Sequence, residues 1–473
     1  MDIENFRRHA HELVDWMADY LKTIEKYPVK AQVAPHEILS ALPPSPPEEG
    51  EPFETIFNDF QHLILKGITH WQHPSFFAYF PANSSFPSVL AEMLTATLGA
   101  QCMIWDTSPA ATELEERMMD WLKKMLALPT SWQGCIQDTA STATLCALLS
   151  ARERITNFHI NENGFDANRY TVYCSTQAHS SVEKAVKIAG FGRKNLRKIP
   201  TKPDFSIDVT ALTDAIREDL SLGFRPTAVV ATLGTTSSTA IDNVAHLADI
   251  CQAYQLWLHV DAAYAGTASI LPELRPLLNQ GLEYADSYVF NPHKWMMTNF
   301  DCSAYFVREK EWLIRTLEIL PEYLKTANTT RVNNYRDWGI QLGRRFRALK
   351  LWFVIRTYGV EGIRRKIRKD LELARYFQEL LRQLPVPVEI LAPVHLNLVC
   401  FRLVPDTLKE NSEQLNVFNQ QLLENINKSG EAYLTHTKLD EKYTLRAVFG
   451  QTNVHERHVE RLIDLIRRLV AAS

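Results

Sequence analysis

Two short apolar runs, each leading into a charged residue, constrain this chain more than any other feature. Leu256-Trp257-Leu258-His259-Val260 runs into Asp261 and on to Ala262-Ala263-Tyr264, and Ser287-Tyr288-Val289-Phe290 runs into Asn291-Pro292-His293-Lys294-Trp295. Runs of this length and content read as buried strands. Aspartate and lysine are among the residue types least often buried, so finding them at such strand ends calls for a reason. Similar runs, Tyr170-Thr171-Val172-Tyr173 and Thr227 to Thr232, recur between helical stretches from residue 86 to 360. One helix starts at Ser108-Pro109, with serine as cap and proline in the first turn, and continues through Met118, Trp121, Leu122 and Met125. This alternation predicts an α/β domain with a mainly parallel sheet between helices, whose ligands bind at the carboxyl ends of strands. Asp261 and Lys294 fall at such ends.

At 473 residues the chain is too long for one core. Residues 1–85 are expected to form an N-terminal helical segment. Ala10, Leu13, Val14, Met17, Ala18, Leu21 and Ile24 make one helical stripe, suited to packing on another helix, such as one from a second subunit. The proline-rich stretch Ala41 to Gly50 excludes helix and sheet and reads as either a linker or an extended strap. After Tyr358-Gly359 the pattern changes. A helix from Leu371 to Leu381, a strand from Leu396 to Leu403, a helix from Leu415 to Ile426, a strand from Tyr443 to Val448 and a helix from Val459 to Leu469 predict a small α+β domain over 361–473.

Lysine plus arginine total 51 against 55 acids, a net charge of −4, which gives no general attraction for nucleic acid. The basic run Arg364 to Lys369 ends in Asp370 and reads as a solvated helix face. The seven cysteines include no CxxC pair, so neither a metal site nor a disulfide frame is expected. The charged N-terminus does not read as a signal peptide, and no apolar stretch reaches the roughly 20 residues of a membrane span. These features together predict a cytoplasmic enzyme.

An acid and a lysine at neighbouring strand ends are what pyridoxal 5'-phosphate needs. The lysine amine holds the cofactor covalently, and the acid keeps its pyridine nitrogen protonated. Gln137-Asp138-Thr139-Ala140-Ser141-Thr142 precedes an apolar helix and offers small residues and free amides to a phosphate, although alone it reads as an ordinary helix cap. His179, in Ala178-His179-Ser180-Ser181, stands between a strand and a helix, where a ring could lie on the cofactor; the plain alternative is a loop histidine. Ala231 to Thr236 closes another strand with small hydroxyl residues. Trp71 to Pro81 is unusually aromatic, including Tyr79 and Phe80, and suits either core packing or the wall of a pocket for a flat side chain.

Taken together these segments resemble the pyridoxal-dependent group II amino-acid decarboxylases, most closely the aromatic-L-amino-acid decarboxylases. The likeness runs nearly end to end, through HPSFFAYFP, SPAATELE, QAHSSVEKA, ATLGTT, HVDAAYAG, NPHKW, NFDCSA, PEYLK and LGRRFRALKLW. It implies fold type I, aspartate aminotransferase-like, with a mainly parallel seven-stranded sheet, and a homodimer with shared active sites. It implies that Lys294 carries the cofactor, Asp261 pairs with the pyridine nitrogen and His179 stacks on the ring. Ala140, Ser141 and Asn291 match phosphate contacts, Thr236 and Ala263 match ring contacts, and His293 supports the cofactor. Tyr323, in Pro321-Glu322-Tyr323-Leu324-Lys325, matches the mobile-loop tyrosine that returns a proton to the substrate, and the polar stretch after it reads as a lid. Trp71, Tyr79, Phe80, Pro81, Ala82, Met103 and Gly343 are the expected substrate wall.

The chain also departs from that pattern. Asp138 stands where glycine is usual, and Thr142 where glutamate is. Met103 replaces a common aromatic and Ala82 a common threonine. Gly343 matches a position where plant relatives carry glycine in indole-preferring and serine in phenol-preferring enzymes. The expected reaction is decarboxylation of an aromatic L-amino acid. Its rivals are an aromatic aldehyde synthase, which typically lacks the loop tyrosine or the stacking histidine, a glutamate-type decarboxylase, and a scaffold that kept the fold without the chemistry.

Overall fold

The computed structural model describes residues 1–319 and 332–471. The chain forms two compact units: Met1–Pro81 with Leu373–Leu391 and Val399–Ser473, and Ala82–Glu372 with Ala392–Leu398.

The second unit is built on a seven-stranded sheet: β1 (Gln133–Gln137), β2 (Arg169–Ser175), β3 (Leu196–Ile199), β4 (Phe224–Thr232), β5 (Trp257–Asp261), β6 (Ser287–Phe290) and β7 (Ser303–Val307). Their order is β1-β7-β6-β5-β4-β2-β3. The pairs from β3 to β6 are parallel, while β7 runs antiparallel to both β6 and β1. The sheet is therefore mainly parallel, as the alternation of runs predicts. β5 and β6 are buried at every residue, which explains their mostly apolar character: parallel strands are covered on both faces. Leu148, Val172, Val186, Val230 and Trp257 belong to one core cluster, and Cys146, Val289, Tyr305 and Trp338 to another. The helix Pro109–Leu126 starts where Ser108-Pro109 predicts.

The first unit holds a four-stranded sheet, β8 (Val388–Ile390), β9 (Leu398–Leu403), β10 (Thr435–Leu439) and β11 (Lys442–Val448), in the order β10-β11-β9-β8. The hairpin joining β10 and β11 turns on Asp440 and Glu441, both at positive φ, the geometry that matches the twist of a two-residue hairpin. The helices Ser412–Ser429 and Glu456–Ala471 belong to this unit, and the second buries Val459, Leu462, Ile463 and Ile466. The N-terminal helix Ile3–Thr23 fully buries only His9; along its apolar stripe Val14 and Ala18 are exposed, Ala10, Leu13, Met17 and Leu21 are half-buried, and Ile24 just beyond it is buried. Residues 42–50 are exposed and form neither helix nor strand.

One local reading needs correction. The basic run is not a wholly solvated face. It lies in the helix Arg347–Leu381, broken at Gly359 (φ 63), and Ile363, Ile367 and Asp370 on this stretch are buried.

Candidate active site

β4, β5 and β6 are adjacent and parallel, so their carboxyl ends lie side by side: Thr232 pairs with Asp261, and Asp261 with Val289. Asp261 is buried, and Oδ1 accepts the Ala263 N–H at 3.0 Å. That is its one described side-chain hydrogen bond, and it leaves Oδ2 for a cationic partner. Past β6 the chain turns into the short helix Pro292–Trp295, which carries Lys294. The Lys294 N–H donates to the Asn291 carbonyl at 2.9 Å, and the Lys294 carbonyl accepts from Asn83 Nδ2 at 2.5 Å. Burial pulls the Lys294 amine below its ordinary pKa, and the nearby Asp261 charge opposes that pull. Desolvation thus raises the neutral, nucleophilic fraction of the amine.

His179 caps the helix Ser180–Ile188. Its Nδ1 accepts the Ser181 N–H at 3.2 Å, which in the neutral ring leaves the proton on Nε2. Burial lowers its pKa, with Asp261 raising and Lys294 lowering it, so all three groups share one electrostatic neighbourhood. His293 is buried and accepts the Cys302 N–H on Nδ1 at 2.9 Å. Burial, and then the Lys294 charge, push it down to about 3, so it stays neutral. Asn291 Oδ1 accepts from Ser303 at 2.7 Å, and its N–H donates to the Ala263 carbonyl. Thr236 is exposed in the loop after β4. In that loop Gly234 sits at φ +82, and a Cβ there would come within 2.7 Å of the Ala265 Cβ.

Ala140 and Ser141 are the first two residues of the helix Ala140–Thr156, capped by Thr139, whose hydroxyl accepts the Thr142 N–H. Their amides belong to the first turn, where intrahelical partners are missing and the helix dipole favours an anion. The unusual Asp138 accepts from the Thr139 N–H at 2.6 Å and from Gln341 Nε2 at 3.4 Å.

Sequence reasoning missed the support behind the lysine. Trp295 stacks on Tyr264 at 4.8 Å and 2°, and its indole N–H donates to Asp370 Oδ2 at 2.8 Å. Lys366 pairs with Asp370 Oδ1, and Asn397 Nδ2 donates to the Tyr264 hydroxyl at 2.6 Å. Burial raises Asp370 to about 6. The signal available was the acid closing a basic run at an apolar helical position.

Of the expected substrate wall, Met103 and Ala82 are half-buried and Gly343 is exposed, all in the unit that carries Lys294. A Cβ on Gly343 would meet Gln101 Nε2 at 3.2 Å. Trp71, Tyr79, Phe80 and Pro81 belong to the other unit. There Trp71 stacks on Tyr79 at 5.7 Å, and the Tyr79 hydroxyl lies 3.1 Å from that of Tyr433. Tyr323 lies outside the described residues.

Residues 35–404 match the pyridoxal-dependent decarboxylase conserved domain, and the chain belongs to that family. Tryptophan decarboxylase 2 of Oryza sativa subsp. japonica is 43% identical over 99% of this chain and 95% of its own length. Tyrosine decarboxylase 4 of Petroselinum crispum is 43% identical over 97% and 92%. Phenylacetaldehyde synthase of Arabidopsis thaliana is 42% identical over 99% and 96%. The crystal structure of Oryza sativa TDC with PLP and tryptamine superposes with a TM-score of 0.95 at 37% identity, covering 100% of this chain and 99% of that one. The cofactor is pyridoxal phosphate, and the protein is a carboxy-lyase. The residues present suit that group: a desolvated amine, a buried carboxylate with Oδ2 uncommitted, and a helix start with free amides.

Proposed function

We propose that the protein decarboxylates an aromatic L-amino acid to the corresponding arylalkylamine and CO2. The observation that carries this reading is the placement of Asp261 and Lys294 at the carboxyl ends of neighbouring strands, joined to full-length similarity with aromatic amino-acid decarboxylases. When bound, pyridoxal phosphate supplies an electron sink for the pair released as the Cα–carboxylate bond breaks. Lys294 would hold the cofactor through its amine, a role its lowered pKa supports. Asp261 would pair with the pyridine nitrogen. His179 would lie on the ring, and in its neutral form the Nε2–H would be a donor toward the substrate. Ala140, Ser141 and Asn291 would receive the phosphate, Thr236 and Ala263 would contact the ring, and His293 would back the lysine. Tyr323 returns a proton to Cα, with His179 nearby. Ala82, Met103 and Gly343, in the unit that carries Lys294, line the aromatic side chain.

The working form in this reading is a homodimer with shared sites. Exposed apolar residues on two helices support it: Ile3, Phe6 and Val14 on the N-terminal helix within segment 1–85, and Phe86, Leu90, Leu94 and Leu98 on the helix Phe86–Leu98, which are 64%, 54%, 46% and 63% exposed. In the same reading 86–360 is the cofactor-binding domain and 361–473 the small one. Seven free, buried cysteines suit a reducing compartment such as the cytoplasm. The Tyr323→Phe variant, assayed for amine, CO2, aldehyde and peroxide together, tests the proton-return step. Amine output is expected to fall while aldehyde and peroxide rise. Unchanged amine output contradicts the role of Tyr323.

A further inference from the structure

A cavity of about 610 Å³ opens at the end of the seven-stranded sheet opposite that of Asp261 and Lys294, where β4 and β6 start. Arg225 lies at the start of β4, Asp286 precedes β6, and Arg308 follows β7, whose antiparallel course brings its end beside the start of β6. Arg154 reaches in from the helix Ala140–Thr156. Three guanidinium groups therefore line a cavity whose one lining carboxylate is Asp286.

That carboxylate is fully committed. Oδ1 accepts from Arg154 Nη1 at 2.8 Å and from Arg308 Nη2, and Oδ2 accepts the Leu258 N–H at 2.9 Å. Each guanidinium carries five N–H donors. Arg154 makes one described hydrogen bond, and Arg308 adds one to the Tyr284 carbonyl at 3.0 Å. Arg225 makes no ion pair with a described residue. Two of the three lie over aromatic rings, Arg154 with its guanidinium carbon 4.7 Å from the Trp257 centroid and Arg225 at 5.7 Å from that of Tyr170. The net charge of +2 and the remaining N–H donors call for an anion with several acceptor oxygens.

We propose that this cavity binds a phosphate dianion, free or as a phosphomonoester whose organic part lies against Ile155 and Leu256. The site is separate from the cofactor's, at the opposite ends of the same strands, and does not depend on which amino acid the enzyme decarboxylates.

The test is calorimetric titration of the cofactor-saturated enzyme with inorganic phosphate and with glycerol phosphate, against sodium chloride at matched ionic strength. Saturable binding near one per chain is expected, with cofactor absorbance unchanged. Tighter binding of glycerol phosphate assigns the site to esters, and equal binding assigns it to free phosphate. Arg225→Gln should weaken binding about tenfold, the loss of one charge-assisted hydrogen bond. Gln252→Trp, at an exposed cavity-lining position on the helix Val244–Tyr254, should abolish binding by filling the space while leaving all three arginines in the chain. Heats no larger than those of chloride, affinity unchanged in both variants, or displacement of the cofactor would each overturn the proposal.

Discussion

Replacing Asp261 with asparagine isolates the contribution of one charge. The side chain is buried, and its described hydrogen bond, from the Ala263 N–H to Oδ1 at 3.0 Å, can be kept by an asparagine oxygen. Shape and local folding are thus conserved, and what is lost is the anion facing the cofactor nitrogen. A hydrogen bond between charged groups in a protein contributes about 1.5–3 kcal/mol, and two unit charges about 4 Å apart interact by about 4 kcal/mol at an effective dielectric of 20. If the anion acts mainly on the charge that develops during bond cleavage, kcat falls by a factor on the order of 10 to 1,000. The same change removes the influence that raises the pKa values of Lys294 and His179, so both fall further. Steady-state CO2 release should be compared at equal cofactor occupancy, set by the visible absorbance, with Asp261→Glu as the charge-conserving control. A kcat for Asp261→Asn within about threefold of the parent enzyme at full occupancy refutes the reasoning, because the buried charge would then do nothing in the transition state.

Two further outcomes follow from the geometry. Asp370 is buried, and burial raises its pKa in the folded state to about 6, above the ordinary aspartate value of 3.8. A raised carboxyl favours the folded state when protonated, so its contribution is greatest below about pH 4 and is lost as pH rises through about 6, a swing of about 3 kcal/mol. Asp370→Asn should flatten that part of the melting-temperature profile, and a variant profile parallel to the parent's from pH 4 to 6 contradicts the assignment. Gly343→Ser places a hydroxymethyl group against Gln101, where even a Cβ sits 3.2 Å from Nε2, and should shift the kcat/KM ratio from tryptophan toward tyrosine. Comparable turnover of the two substrates by the unaltered enzyme would sink the indole preference on which this rests.

The parallel core was legible because its strands are covered on both faces. β4 from Thr227 onward, β5 and β6 are written as nearly continuous apolar runs, and the two ionisable residues of interest stand at the end of β5 and just past β6. β1 and β3 carry weaker patterns, Gln133-Gly134-Cys135-Ile136-Gln137 and Leu196-Arg197-Lys198-Ile199, and only their partners make them strands. At β1 the glycine is what permits pairing, since a Cβ at Gly134 would come within 2.5 Å of the Tyr305 carbonyl. His179 and Asp261 were readable from local motifs. Asn83 and Asn397 were not, and neither was the pairing of Asp370 with Trp295, because their partners lie far away in sequence and no local spacing announces a long-range hydrogen bond. The basic run misled for a related reason: Lys366 and Asp370 neutralise each other in a buried pair, which sequence alone renders as a solvated face.

The most direct test of the account is product analysis of the purified enzyme, supplied with pyridoxal phosphate, against tryptophan, tyrosine, phenylalanine, DOPA and glutamate. Amine, CO2, aldehyde and peroxide should all be followed. The account predicts amine and CO2 in equal amounts from at least one aromatic substrate and none from glutamate. Aldehyde with stoichiometric peroxide, or turnover of glutamate alone, would contradict it.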